Sequence, residues 1–251
     1  LYGGHAVISI GHSQSDFVSN IKEQLDQIAF YSNAVKNPLQ GQLANAIAEH
    51  SCLYDYQLFL CSTGAEAIEN ALKLASFHTQ KKRVIAFENA FHGRTSAAVS
   101  VTDNPSINAP LNAQHEVTFL PFNNSLLLEK ELKKGDVCAV IFEAIQGVGG
   151  LNQPDEGFIY AMESLCKKFD ACLIADEVQS GFARTGTFFA FQKYRISPHI
   201  ITMAKGMGNG FPIGGILIHP DIKSKYGLLG TTFGGNHLAC TASLSVLEVL
   251  K

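Results

Sequence analysis

The chain has 251 residues, is 46% hydrophobic and 16% charged, and carries a formal net charge of -3. That is enough for one large globular domain or two small ones, and the charge gives no ground for a nucleic-acid or anionic-membrane partner. No apolar run approaches the ~20 residues of a membrane span. The six cysteines (Cys52, Cys61, Cys138, Cys166, Cys172 and Cys240) form no CxxC pair and the nine histidines show no ligand spacing, so reduced thiols, a cytoplasmic location and no metal are expected.

The amino-terminal residues 5–10 read as a strand ending at Gly11. Residues 16–30 carry Phe17, Val18, Ile21, Leu25, Ile28 and Ala29 at helical spacing, with Asp16 as the N-cap. A second helix covers residues 39–50, and a buried strand covers 56–61. Next comes Cys61-Ser62-Thr63-Gly64-Ala65-Glu66, opening a helix through Ala67, Ala71, Leu74 and Ala75. Thr63 and Glu66 have capping-box spacing. Strand, small-residue turn and helix start form an anion cradle, in which the N–H groups of Gly64 and Ala65 face a phosphate. A plainly capped helix is the simpler reading of this stretch alone.

Residues 83–88 are a strand running into Phe91-His92-Gly93-Arg94. Phe91 suits stacking on a planar ring and Arg94 suits forking onto a carboxylate; a core phenylalanine and a surface arginine are the plain alternatives. Strands follow at 117–120, 136–143 and 171–175, helices at 126–133 and 160–169. Glu143 stands at one strand exit, and Asp176 with Gln179 at another. Residues 200–204 form a short buried strand that delivers Lys205 into a glycine-rich loop. A cation there must be paired or made neutral, unless it is a surface lysine in a flexible turn. A final strand spans 213–218, and a loop carrying Thr231 and Thr232 leads into a last helix from Leu238.

Strands alternating with helices, without strict polar alternation, predict an α/β fold with a mainly parallel sheet covered on both faces. Ligands of such sheets bind at the carboxyl ends of strands. Gly64, Glu143, Asp176 and Lys205 all follow such ends. Together they suit pyridoxal phosphate: Lys205 for its carbonyl, Asp176 for its ring nitrogen, Gln179 for its ring hydroxyl, Phe91 for its ring face, and Gly64 with Ala65 for its phosphate. A nicotinamide fingerprint is absent, because Phe211 stands where the last glycine after Gly206 and Gly208 belongs.

Six segments, Ser62-Thr-Gly-Ala-Glu-Ala, Phe91-His-Gly-Arg-Thr, Glu143-Ala-Ile-Gln-Gly, residues 176–186, residues 204–214 and Thr231-Thr-Phe-Gly-Gly-Asn, together resemble the class III aminotransferases. Within that family the chain is most similar to the acetylornithine branch. The resemblance implies the aspartate-aminotransferase type of fold (fold type I) and a pyridoxal 5'-phosphate cofactor. It implies transfer of the δ-amino group of N2-acetyl-L-ornithine to 2-oxoglutarate, within arginine biosynthesis. It also implies a homodimer whose sites are shared across subunits, with Thr232 on the neighbouring cofactor phosphate. Thr231 and Glu143 then lie near substrate, and Arg94 on its α-carboxylate. His92 is placed beside the cofactor with no catalytic role.

Where the family commonly has Gln-Gly-Glu-Gly, this chain has Gln146-Gly147-Val148-Gly149. That predicts a more apolar pocket and makes N-succinylornithine an alternative substrate. Ornithine and 4-aminobutyrate are further alternatives, and a non-catalytic cofactor-domain protein is a third class, ranked low because Lys205 and Asp176 are both present. Against the family pattern, residues 1–35 read as a lead-in with a remnant of the small domain and 36–251 as the cofactor-binding large domain. Both ends read as internal to a longer chain, with most of the small domain beyond residue 251.

Overall fold

A computed structural model describes residues 3–223 and 225–250. Helix α1 (Ser15–Gln27) begins two residues earlier than an Asp16 N-cap would place it. Gln14 is its N-cap, accepting from the Phe17 N–H at 2.6 Å, and Asp16 sits inside the first turn. Helix α2 (Pro38–Ser51) is capped by Asn37 and opens on a proline, which fixes φ where no N–H is needed. Strand β1 (Gln57–Cys61) leads directly into α3 (Gly64–Thr79). Half of the predicted capping box forms: Thr63 accepts from the Glu66 N–H at 3.1 Å, while the Glu66 carboxylate accepts from the Ser62 N–H at 2.8 Å, one residue before the N-cap amide of a full box.

The remaining elements are β2 (Arg83–Phe87), α4 (Ser96–Ser100), β3 (Val117–Leu120), α5 (Ser125–Leu132), β4 (Val137–Phe142), α6 (Glu156–Lys168), β5 (Cys172–Asp176), β6 (Ile200–Met203), β7 (Gly214–Ile218) and α7 (His237–Val249). The seven strands form one sheet in the order β1-β7-β6-β5-β4-β2-β3. Strands β2 to β6 are mutually parallel, and β7 is antiparallel to both β6 and β1. Strand β1 therefore runs with the parallel set, and β7 alone is reversed. Its glycines make that insertion possible: a Cβ at Gly214 would stand 2.7 Å from the Thr63 carbonyl oxygen, and one at Gly215 2.7 Å from that of Phe59.

Both sheet faces are covered, as the apolar strands require. Ile85, Phe87, Val140, Phe142 and Leu173 face α2, α5 and α6, while Val84, Ala86, Ala139, Ile141 and Ile174 face the small-residue stripe Ala67, Ala71 and Ala75 of α3. Full burial of each large side chain here stabilises by roughly 1.5–3 kcal/mol. Helix α1 lies on α7, joined through Asn20 to Ser245 at 2.9 Å and Thr241 to Gln24 at 3.2 Å.

The amino-terminal strand expectation also fails. Residues 5–10 are not a strand but a run of turns, with His5 and Ala6 at φ 57° and 63°. Two consecutive left-handed residues cannot continue a pleated strand. The backbone of this stretch and the Ser9 side chain bond instead to Asn209 and Gly206 in the loop after Lys205.

Candidate active site

Because β1, β2, β4, β5 and β6 run the same way, their carboxyl ends meet along one edge of the sheet. A cavity of about 320 Å³ opens there, with Gly64, Ala65, Phe91, His92, Glu143, Asp176, Gln179 and Lys205 in its walls. Seven of these eight were singled out by sequence as site residues, and four strand exits and one helix start bring them together.

Lys205 follows β6 at φ 45° and begins a short 3-10 turn, Lys205–Met207. Burial pushes its amine below the ordinary lysine pKa, against the pull of Asp176 and Glu143. A lowered pKa favours the neutral, nucleophilic amine.

Asp176 ends β5 and is 5% exposed. Its Oδ1 accepts from the Val178 N–H at 2.9 Å and the Thr202 hydroxyl at 3.0 Å, and its Oδ2 pairs with His92 Nδ1 at 2.7 Å. Three partners fix the carboxylate and leave capacity for one more donor. The His92 ring is wholly buried, and its Nε2 has no partner. Burial works to lower the His92 pKa, but the bond to Asp176 and the charges of Asp176 and Glu143 outweigh it, so the net direction is upward. Sequence reasoning gave His92 no such task, since nothing in the spacing of positions 92 and 176 announces their contact.

Glu143 is 4% exposed and ties two loops together. It accepts from the Phe91 N–H at 3.0 Å and the Gly147 N–H at 3.3 Å. Burial raises its pKa to about 7, with Asp176 adding to the rise and His92 opposing it. Gln179 is held against the same loop: a Cβ on Gly147 would lie 1.8 Å from Gln179 Oε1.

These residues fit a planar, phosphorylated, carbonyl-bearing group. Gly64 and Ala65 at the start of α3 line the cavity, and Gly64 lets that helix start pack against the turn after Asp176, since a Cβ there would come 2.8 Å from Val178 Cγ1. Gly93, at φ 146°, passes so close to α4 that a Cβ would meet Ala98 at 2.9 Å. Asp176 keeps room to accept one more hydrogen bond, as from a protonated ring nitrogen, and the buried His92 Nε2 is left without a partner beside it.

Four sequence-named residues stand outside the cavity. Arg94 is exposed, its guanidinium 6.0 Å from the Phe91 ring centroid. Thr231 and Thr232 sit by the open edge of β1, where their carbonyls accept from Asn33 Nδ2 at 3.1 and 3.3 Å. Thr231 borders a second space there of about 1010 Å³. Val148 is 61% exposed on the loop beside Glu143. Among the described residues, no group of three or more His, Cys, Asp or Glu is placed to hold a metal ion, and no helix is long and apolar enough to cross a membrane.

The chain is similar to known proteins along its whole length. The acetylornithine aminotransferase of Archaeoglobus fulgidus is 42% identical over 254 residues, covering 100% of this chain and 67% of the relative. The succinylornithine transaminase of Photorhabdus laumondii is 39% identical, covering 99% of this chain and 63% of the relative. Among solved structures, the ornithine aminotransferase of Toxoplasma gondii, which holds pyridoxal phosphate at partial occupancy in its active site, superposes with a TM-score of 0.90 at 30% identity. It covers 99% of this chain and 61% of that one. The chain thus spans about two thirds of the length of the proteins it resembles. The family model for class-III aminotransferases matches residues 1–251, and the chain belongs to that family.

Proposed function

We propose that this chain is the cofactor-binding part of an aminotransferase that moves the δ-amino group of an N-acylated ornithine, N2-acetyl-L-ornithine first, to 2-oxoglutarate. The observation that carries this reading is the meeting of Lys205 with the Asp176–His92 pair in one cavity beneath the start of α3. Pyridoxal phosphate is the cofactor that family membership implies; when bound, it supplies an electrophilic carbonyl and an electron-withdrawing ring. Lys205 would hold that carbonyl, and its amine, neutral when its pKa is lowered, would serve as the base that moves a proton at the reacting carbon. Asp176, locked by His92, Val178 and Thr202, keeps a proton on the ring nitrogen. Phe91 would cover the ring, Gln179 would bind its hydroxyl, and the N–H groups of Gly64 and Ala65 would take the phosphate.

Arg94 is assigned to the α-carboxylate of the substrate and Thr231 and Glu143 to its surroundings. Thr232 is assigned to the cofactor phosphate of a neighbouring copy, in a homodimer. The exposure of Arg94 and of the loop at Thr231 and Thr232 supports groups that are completed by other chain segments. Residues 36–251 act as the large domain and residues 1–35 as its lead-in, in a cytoplasmic enzyme of arginine biosynthesis. The names of the relatives support the acyl-ornithine donor, and the exposed Val148 supports N-succinylornithine as the second reading.

The test is kcat/KM of the full-length protein for N-acetylornithine, N-succinylornithine, ornithine and 4-aminobutyrate, each with 2-oxoglutarate. Preference for an acyl-ornithine is expected. Preference for free ornithine or 4-aminobutyrate overturns the substrate, and absence of any transamination overturns the activity.

A further inference from the structure

Residues 4–11 lie across the loop that follows Lys205, and side chains hold them there. Asn209 Oδ1 accepts from the Ser9 N–H at 2.9 Å and the Ile10 N–H at 3.1 Å, while its Nδ2 donates to the Gly11 carbonyl at 3.0 Å. The Ser9 hydroxyl donates to the Gly206 carbonyl at 2.8 Å. Arg184 reaches the carbonyls of Ala6 and Ile8 at 3.2 and 3.1 Å. The packing is close: a Cβ on Gly210 would stand 3.4 Å from Ile8 Cδ1, and one on Gly206 3.6 Å from Ser9 Cβ. Val7, carried in the middle of this segment, lines the same cavity as Lys205.

Asn209 is only 7% exposed and sits at φ 47°, among glycines. Asparagine tolerates the left-handed region better than most side chains, but glycine would meet that demand equally well. What glycine lacks is a carboxamide, which presents an acceptor and a donor in the pattern of a neighbouring strand. The backbone of residues 9–11 uses both ends of it. Two left-handed residues, His5 and Ala6, then turn the chain so that Val7 meets the cavity.

We propose that Asn209 is a positioning residue that latches residues 7–11 onto the lysine loop, so that Val7 forms a fixed wall of the Lys205 cavity and limits both its size and the access of solvent to the amine. The wall bounds the space left for the amino donor, and that consequence rests on the aminotransferase reading. The latch itself does not.

Four forms of the full-length protein test it: unsubstituted, Asn209→Ala, Asn209→Asp and Val7→Ala. Two readouts are independent of the reaction: amide hydrogen exchange in the peptide spanning residues 4–11, and the rate at which acetic anhydride acetylates Lys205 in cofactor-free protein, followed by peptide mass spectrometry. Asn209→Ala removes three hydrogen bonds and is expected to speed exchange and acetylation by about tenfold or more. Asn209→Asp keeps the two acceptor contacts and is expected to fall between Asn209→Ala and the unsubstituted protein. Val7→Ala leaves the latch intact, so acetylation is expected to rise while exchange stays unchanged; this variant and Asn209→Asp carry the test if Asn209→Ala does not fold. In steady-state kinetics, Asn209→Ala is expected to raise KM for the amino donor about tenfold with kcat within about twofold, a split that general destabilisation does not produce.

Unchanged exchange and acetylation in Asn209→Ala, Asn209→Asp as damaging as Asn209→Ala, or a fall in kcat with KM unmoved would each overturn the proposal. If the unsubstituted protein turns over no amino donor, the functional reading fails instead, and the exchange and acetylation results still decide the latch.

Discussion

Replacing Glu177 with alanine should unfasten the turn that carries Asp176 and Gln179. The Glu177 carboxylate is 1% exposed. Its Oε2 accepts from the Ser180 hydroxyl at 2.7 Å and the Ala190 N–H at 3.0 Å, and its Oε1 from the Phe191 N–H at 2.8 Å. Alanine leaves two buried backbone donors without acceptors, each worth about 1–3 kcal/mol, together with a small void, so a loss of about 3–5 kcal/mol is expected. Glutamine keeps one oxygen but turns an NH2 toward one of the donors, and should cost about 1–3 kcal/mol.

The two variants also differ in pH dependence. Burial pushes Glu177 up to about 7 from an ordinary 4.5, outweighing the three donors that favour its charged form. The folded pKa lies above the unfolded one, so this group's contribution to stability is full below about 4.5 and is lost as pH rises through about 7. The penalty of Glu177→Gln relative to the unsubstituted protein should therefore shrink between pH 5 and pH 8, since glutamine does not titrate. Urea denaturation at both pH values, at fixed pyridoxal phosphate concentration, measures this. An alanine variant within about 1 kcal/mol of the unsubstituted protein, or a glutamine penalty that widens with pH, would refute the reasoning.

Lys205→Ala should abolish the borohydride-stable cofactor adduct on the peptide carrying residue 205, read by mass spectrometry; an adduct that survives elsewhere removes Lys205 from its assigned place. His92→Leu takes one of the three partners from Asp176 and should weaken pyridoxal phosphate binding by about tenfold in a fluorescence titration; unchanged affinity would make the pair structural only. Gly147→Ala forces the Gln179 amide aside and should weaken cofactor binding about fivefold, the scale of one hydrogen bond, with little change in melting temperature. His199 must stay neutral at Nδ1 to accept the Leu173 N–H, and burial, then His219 and His78, lower its pKa. Its stabilisation is complete above the ordinary 6.5 and is lost as pH falls from there toward the lowered native value. His199→Asn should flatten that acid limb in a series of thermal melts.

Residues announced their positions where one local rule governed them. The Thr63–Glu66 pair defined the start of α3, and uninterrupted apolar runs defined β4, β5 and β6, because capping and burial act within a few residues. The convergence of Glu143, Asp176 and Lys205 followed from the parallel sheet. The reversal of β7 was not legible, since Gly214 and Gly215 earn their places through contacts with Thr63 and Phe59, far away in sequence. Residues 5–10 misled for the same reason: their partner is the side chain of Asn209, and no periodicity encodes it. The N-cap of α1 was assigned to Asp16, but Gln14, two residues earlier, caps the helix by accepting from the Phe17 N–H, and Asp16 lies inside the first turn. His92 was noticed and left without a task, because an Asp–His contact across the sheet is a product of topology.

The place of β7 also bears on how the protein is made. Strand β1 precedes every other strand of this sheet, yet among the described residues its one neighbour is β7, the strand furthest from it in sequence. Until β7 is made, the edge of β1 stands open, and the start of α3 has no fixed relation to the lysine loop. Long-range closure of this kind is slow and exposes unpaired strand edges meanwhile. A ribosome stalled before residue 214 should therefore carry a nascent chain with its parallel strands in reach of one another but with no cavity, and chaperones that shield strand edges would act on β1 during that interval.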